Sequence, residues 1–164
     1  MTVKIEIDVK KVRKDAEKLF ADGQFYCSEA IVSAIRSNFD PTMPEEMIAM
    51  ASGFPVGIGK SKCVCGAVSG GVMSIGYFFG RTSGSTPTDE RSVKTLKLAA
   101  ELHDWFKERN NVLCCKVLTH GMDMASGEHK KQCVRFTGEI AEKAAEIIVR
   151  ELDDRFTQKV EESQ

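Results

Sequence analysis

The sequence predicts an all-α fold, a single-domain bundle of about six helices around a central, uncharged, glycine-rich helix. Three observations carry this expectation: apolar residues recur at helical spacing along most of the chain, helix-starting and helix-ending residues punctuate them, and one internal stretch lacks charge. Between Met47 and Gly80 lie 34 residues with only two charges, Lys60 and Lys62, whereas the other 130 carry 45. A helix without a charged face is one that its neighbours cover, so this stretch marks the centre of the molecule.

The elements follow in order. The start, Met1–Asp8, alternates apolar with polar residues, which allows one short strand at residues 3–7 and lacks the continuous apolar run of an export signal. Asp8 is placed to cap a helix that turns Val9, Val12, Ala16, Leu19 and Phe20 inward and ends at Gly23. A second helix spans about Cys27 to Asn38, with Ala30, Ile31, Ala34 and Ile35 on one face. Thr42-Met43-Pro44-Glu45 combines a Thr/Glu capping box with an early proline, predicting a helix from there to about Gly53. A glycine-rich turn, Phe54–Lys62, leads into the central helix, whose uncharged run is Val64–Gly80. Its small residues recur as Gly66/Gly70/Ser74 and Ala67/Gly71, so neighbouring helices, a bound cofactor or a second copy of the chain could approach the backbone closely. After the loop Thr82–Ser85, Thr86-Pro87-Thr88-Asp89 opens a helix to about Arg109, with Val93, Leu96, Ala100 and Phe106 facing in. The last helix, about Gln132 to Phe156, presents Cys133, Phe136, Ile140, Ala144, Ile147 and Leu152. Residues 1–157 thus form one domain, and residues 158–164 a polar, frayed tail.

Composition removes several classes of function. With 23 Lys plus Arg against 24 Asp plus Glu, the net charge is -1 and leaves no electrostatic footprint for nucleic acid. The uncharged run of 17 residues, Val64–Gly80, is interrupted by Gly66, Gly70, Gly71, Gly76 and Gly80, and falls short of the ~20 strongly apolar residues of a membrane span. The expected setting is therefore soluble and cytoplasmic. Gly59-Lys60-Ser61 resembles the end of a phosphate-binding loop, but Phe54 stands where that loop requires glycine.

The six cysteines are the anomaly, because a chain of 164 residues needs no staples to hold a core. They occur as Cys27, Cys63-Val64-Cys65, Cys114-Cys115 and Cys133, in four separated regions, each near a predicted helix terminus or turn. In a reducing compartment, clustered thiols bind metal or do redox chemistry more often than they form permanent bridges. Helix N-termini should lower the pKa of Cys27, Cys65 and Cys133 through unpaired N–H groups and the helix dipole. No paired C-x-x-C units of a zinc ribbon, no ferredoxin-type spacing and no C-x-x-C-H of covalent haem attachment exist. Any site must be assembled from distant helices. His120 and His129 lie close enough in sequence to Cys114 and Cys133 to serve as nitrogen ligands or bases, whereas His103 reads as a half-buried packing residue. Met47, Met50, Met73, Met122 and Met124 are potential soft ligands, with core packing the commoner role of methionine.

Cys65-Gly66-Ala67-Val68-Ser69-Gly70 follows a turn containing Gly53, Gly57 and Gly59. Together with Tyr26-Cys27-Ser28-Glu29-Ala30, Cys115-Lys116-Val117-Leu118 and Cys133, it resembles the redox-active protein family named C_GCAxxG_C_C, over about residues 15–150. The resemblance implies a soluble helical protein whose four cysteines correspond to Cys27, Cys65, Cys115 and Cys133. A related segment occurs in split-Soret cytochrome c, beside whose haems an iron–sulfur centre has been proposed. Cys63 and Cys114 are additions to the four-cysteine pattern, free to act as alternative ligands or as redox thiols. The expectation is an electron-transfer protein in which the four matching thiolates converge on an iron–sulfur cluster, with Gly66 and Gly70 letting backbone approach it and an unidentified redox partner exchanging electrons. Two rivals remain: a thiol–disulfide enzyme using Cys63/Cys65 or Cys114/Cys115 as the exchanging pair, and a binding module with a structural zinc site.

Overall fold

The computed structural model describes the backbone of residues 6–162 and side chains as far as Asp154. Among them are seven helical segments and no strand: α1 (Val9–Ala21), α2 (Cys27–Phe39), α3 (Glu46–Met50), α4 (Gly66–Phe79), α5 (Glu90–Asn110), α6 (Cys115–Leu118) and α7 (Lys130–Glu162). α3 and α6 are single turns, so the bundle proper consists of five long helices. The strand expected at residues 3–7 lies largely outside the described residues, and 6–8 have no regular structure.

Two helix starts form as their residues dictate. The Asp8 carboxylate accepts from the N–H groups of Lys10 and Lys11 at 3.0 and 3.1 Å, and that of Asp89 accepts from Arg91 and Ser92 at 3.0 and 3.3 Å, offsetting donors that a helix start leaves unpaired. The capping box predicted at Thr42 does not form. Thr42 spends its hydroxyl on the Asp40 carboxylate, and α3 starts only after Glu45, without a side-chain cap. A carboxylate reaches back instead at α2, where Glu29 accepts from the Tyr26 N–H at 2.9 Å.

α7 is the spine. It packs along α1 and also against α2 and α4, while α4 is covered by α2 on one side and α5 on the other. The small residues of α4 serve these contacts individually. A Cβ on Gly70 would stand 2.7 Å from the Ser28 carbonyl oxygen, and one on Gly71 would meet Leu102 and Ile140 at 2.7 and 2.8 Å. α2 and α4 therefore touch backbone to backbone.

The core joins Val12 and Ala16 of α1, Ile31 and Ile35 of α2, Ile75 of α4, Leu102 and Phe106 of α5, and Ile140, Ile147 and Ile148 of α7, all fully buried. The inward face of α5 differs from the one expected. Val93 and Leu96 are 54% and 69% exposed and Ala100 is exposed as well, whereas Phe106 points inward as expected and is joined there by Leu98 and Leu102. His103, expected to be half-buried, is exposed and pairs its Nδ1 with Asp104 at 2.8 Å. α7 also continues beyond the predicted end, through Glu162. Among the described residues no helix is long and apolar enough to cross a membrane.

Candidate redox centre

The turn between α3 and α4 prepares the site. Val56, Gly57, Ile58, Gly59 and Lys60 have φ values of 53, 65, 52, 58 and 67°, and Lys62 follows at 61°. Five consecutive left-handed residues are unusual, and the two β-branched ones are strained there. The turn is closed by Lys62 N–H donating to Val56 at 2.9 Å and Cys63 N–H donating to Gly57 at 3.2 Å. A side chain on Gly57 would stand 2.2 Å from the Cys63 nitrogen, so only glycine fits. The turn places the Val56 amide against the Cys27 sulfur and delivers Cys65 to the start of α4.

Four helix starts then surround one space. Cys27 is the first residue of α2, Cys65 the N-cap of α4, Cys115 the first residue of α6, and Cys133 lies in the first turn of α7. All four line a single cavity of about 620 Å³. Phe20, Phe25 and Phe136 supply apolar wall, Gln24, Glu29, His129 and Lys130 polar wall, and Met124 a thioether. Gly66 also lines it. A Cβ there would lie 2.8 Å from the Cys27 sulfur and 2.9 Å from the Phe54 carbonyl oxygen, so the missing side chain is what admits that sulfur.

The remaining residues singled out in the sequence lie elsewhere. Gly70 meets α2 rather than the cavity, His120 is exposed, and Cys63 is exposed and Cys114 half-buried, neither lining the cavity. In each doublet one thiol turns in and the other does not. The phenylalanine wall and the Val56 amide carried no readable signal, because wall-lining and core-filling aromatics share the same helical spacing. His129 stands out at the wall: its Nδ1 is buried without a hydrogen-bond partner.

The expected lowering of thiol pKa does not occur. Burial pushes Cys27 up to about 12, helped by the nearby Cys65 and Cys133 sulfurs and opposed by the Ser28 and Val56 amides. Burial likewise pushes Cys65 up to about 11 against the Ala67 and Val68 amides, and Cys133 up to about 12 with Cys65 and Cys115 adding to the shift. Cys115 is raised by burial, with the Lys62 cation opposing. Desolvation is the largest influence on all four thiols and outweighs the backbone amides that oppose it at Cys27 and Cys65.

As a donor set, four sulfurs around a cavity suit a soft metal group. Among the described residues no three His, Cys, Asp or Glu side chains converge closely enough to hold one metal ion. The donors are thus arranged around a space rather than around a point.

A family model described as "Putative redox-active protein (C_GCAxxG_C_C)" matches residues 25–147, which contain all four cavity cysteines. The chain is also 27% identical, over 136 residues, to an uncharacterized protein of Archaeoglobus fulgidus, covering 80% of this chain and 87% of that one. No solved structure matches. A family match over most of the chain, on residues that the fold gathers into one cavity, identifies the protein as a member of the C_GCAxxG_C_C redox-active family.

Proposed function

We propose that this is an electron-transfer protein whose redox centre is an iron–sulfur cluster held by Cys27, Cys65, Cys115 and Cys133. The observation that carries this reading is that these four of the six cysteines, drawn from four chain regions, line one cavity. Such a cluster supplies one-electron transfer at a potential set by its charge, burial and hydrogen bonds to sulfur. The chain's own groups fit those controls. The amides of Ser28 and Val56 face the Cys27 sulfur, and those of Ala67 and Val68 face Cys65, which favours added negative charge and raises a potential. Phe20, Phe25 and Phe136 limit water at the wall. His129 lines the same cavity and leaves its buried Nδ1 without a protein hydrogen-bond partner. On this reading electrons pass to and from a separate redox partner in a reducing cytoplasm.

The arrangement favours several metal atoms over one, since tetrahedral zinc needs its donors within roughly 4 Å of one another and no three donors gather that closely among the described residues. Exchange within either cysteine doublet is disfavoured because each splits its thiols between cavity and exterior.

Anaerobic purification from iron-replete cells tests the proposal. The expected product is brown, with iron, acid-labile sulfide and visible absorption. Replacing any of the four cavity cysteines by serine should remove most of the colour, while Cys63→Ser and Cys114→Ser retain it. A colourless, iron-free wild-type protein overturns the reading, and colourless protein with stoichiometric zinc replaces it by a structural zinc site.

A further inference from the structure

Cys63 and Cys114 lie outside the cavity and outside the four-cysteine pattern, yet the fold brings their two segments together. The Lys116 N–H donates to the Lys62 carbonyl at 3.0 Å, and the Cys65 N–H donates to the Leu113 carbonyl at 2.8 Å. These two hydrogen bonds bracket residues 63–64 on one segment and 114–115 on the other. The register of these bonds sets Cys63 opposite Cys115 and Val64 opposite Cys114, so Cys63 and Cys114 are diagonal neighbours across the bracket. The Cys114 sulfur rests 3.5 Å from the Lys62 carbonyl oxygen, and that carbonyl belongs to the peptide unit whose nitrogen is Cys63. The Cys114 sulfur is therefore already seated against the peptide unit that leads into Cys63. Exposure selects the pair as well, since Cys63 is exposed and Cys114 half-buried, while Cys65 and Cys115 are buried at the cavity.

We propose that Cys63 and Cys114 form a reversible disulfide that latches together the two segments carrying Cys65 and Cys115. The oxidant is a disulfide of a small thiol, RS–SR. The Cys63 sulfur, as thiolate, attacks one sulfur of RS–SR, the S–S bond breaks, and RS⁻ leaves. The Cys114 sulfur then attacks the Cys63 sulfur of the mixed disulfide and expels the second RS⁻. Two protein thiols are oxidised to one disulfide, RS–SR is reduced to two RSH, and the two thiol protons end on those products. Excess RSH reverses both steps. Both thiols are free in the structure, which is the unlatched form. The latch acts on the cavity's rim and does not depend on what the cavity holds.

The test treats the full-length protein with oxidised glutathione, quenches it with acid and maps its peptides by mass spectrometry without reduction. The expected map contains one cross-linked pair, Cys63 to Cys114, with two thiols lost and both recovered by dithiothreitol. Cys114→Ser should stop at one glutathione on Cys63. Hydrogen exchange at the Cys65 and Lys116 amides should slow in the oxidised protein, because the cross-link holds their hydrogen bonds closed. A wild-type map with glutathione remaining on Cys63, with Cys63 joined to Cys65 or Cys115, or with no thiol consumed overturns the proposal. Formation of the bond with unchanged exchange at those amides overturns its role as a latch. The wild-type map needs no variant to fold.

Discussion

Gly66 carries two duties on one missing side chain. It starts α4, and it leaves room for the Cys27 sulfur, the Phe54 carbonyl and the Pro55 Cα, which a Cβ would meet at 2.8, 2.9 and 3.2 Å. Two of these neighbours are backbone and cannot turn aside. Gly66→Ala should therefore lower stability by about 1–3 kcal/mol, the usual range for overpacking, and displace the Cys27 thiol. Gly76 sits in the same helix with nothing within 4 Å of its Cβ position. Gly76→Ala should raise stability by about 0.5–1 kcal/mol through helix propensity alone. Urea unfolding midpoints of the two variants check both, and equal effects would refute the assignment of Gly66 to a close approach.

α7 holds its neighbours by charge as well as by packing. Glu142 accepts from Lys10 and from Arg13, the latter at 3.1 Å, and so ties α7 to α1. Glu151 pairs with Lys94 at 2.8 Å, and Arg150 grips Glu101 at 2.8 Å, tying α7 to α5. Burial works against ionisation of Glu142 and Glu151, but their cations outweigh it, and at Glu101 the Arg150 hydrogen bonds dominate; all three carboxyls end below their ordinary value of 4.5. A carboxyl with a depressed folded pKa contributes stability that is present above its unfolded value and lost as pH falls through the folded one. The thermal midpoint should accordingly hold from pH 7 to about 5 and decline below about 4.5. Glu142→Gln should remove about 0.5–1 kcal/mol at pH 7, a figure kept small because Lys10 is mostly exposed, and should make the acid decline shallower. A midpoint unchanged between pH 7 and 3 would contradict the ion-pair account.

The bundle as a whole was largely legible, and its exceptions have physical causes. The faces of α1, α2 and α7 each have one apolar side, so periodicity had a single answer. α5 has two, because the expected set Val93, Leu96, Ala100 and Phe106 and the buried set Leu98, Leu102 and Phe106 both read as helical and share Phe106. Only the positions of α4 and α7 choose between them. Ile147→Ala, in the core, should destabilise by about 2–5 kcal/mol, whereas Leu96→Lys should change stability by less than about 0.5 kcal/mol; calorimetry distinguishes them, and a large loss for Leu96→Lys would restore the other face. The four cavity cysteines could be named from their pattern, but not their neighbours. The amides of Val56 and Ser28 act through backbone, which a sequence does not display, and the desolvation that overrides the helix starts is a property of the assembled walls. The doublets showed two thiols each, and only the fold separated the inward from the outward one.

Because the cavity's four sulfurs belong to four regions between Cys27 and Cys133, no fragment that omits any one of those regions contains all four. Whatever bonds to all four becomes a four-way cross-link across long loops, and cross-links of that kind restrict the unfolded chain most. Filling the cavity would therefore oppose unfolding by the free energy of binding, so affinity for an occupant and resistance to denaturation would rise together.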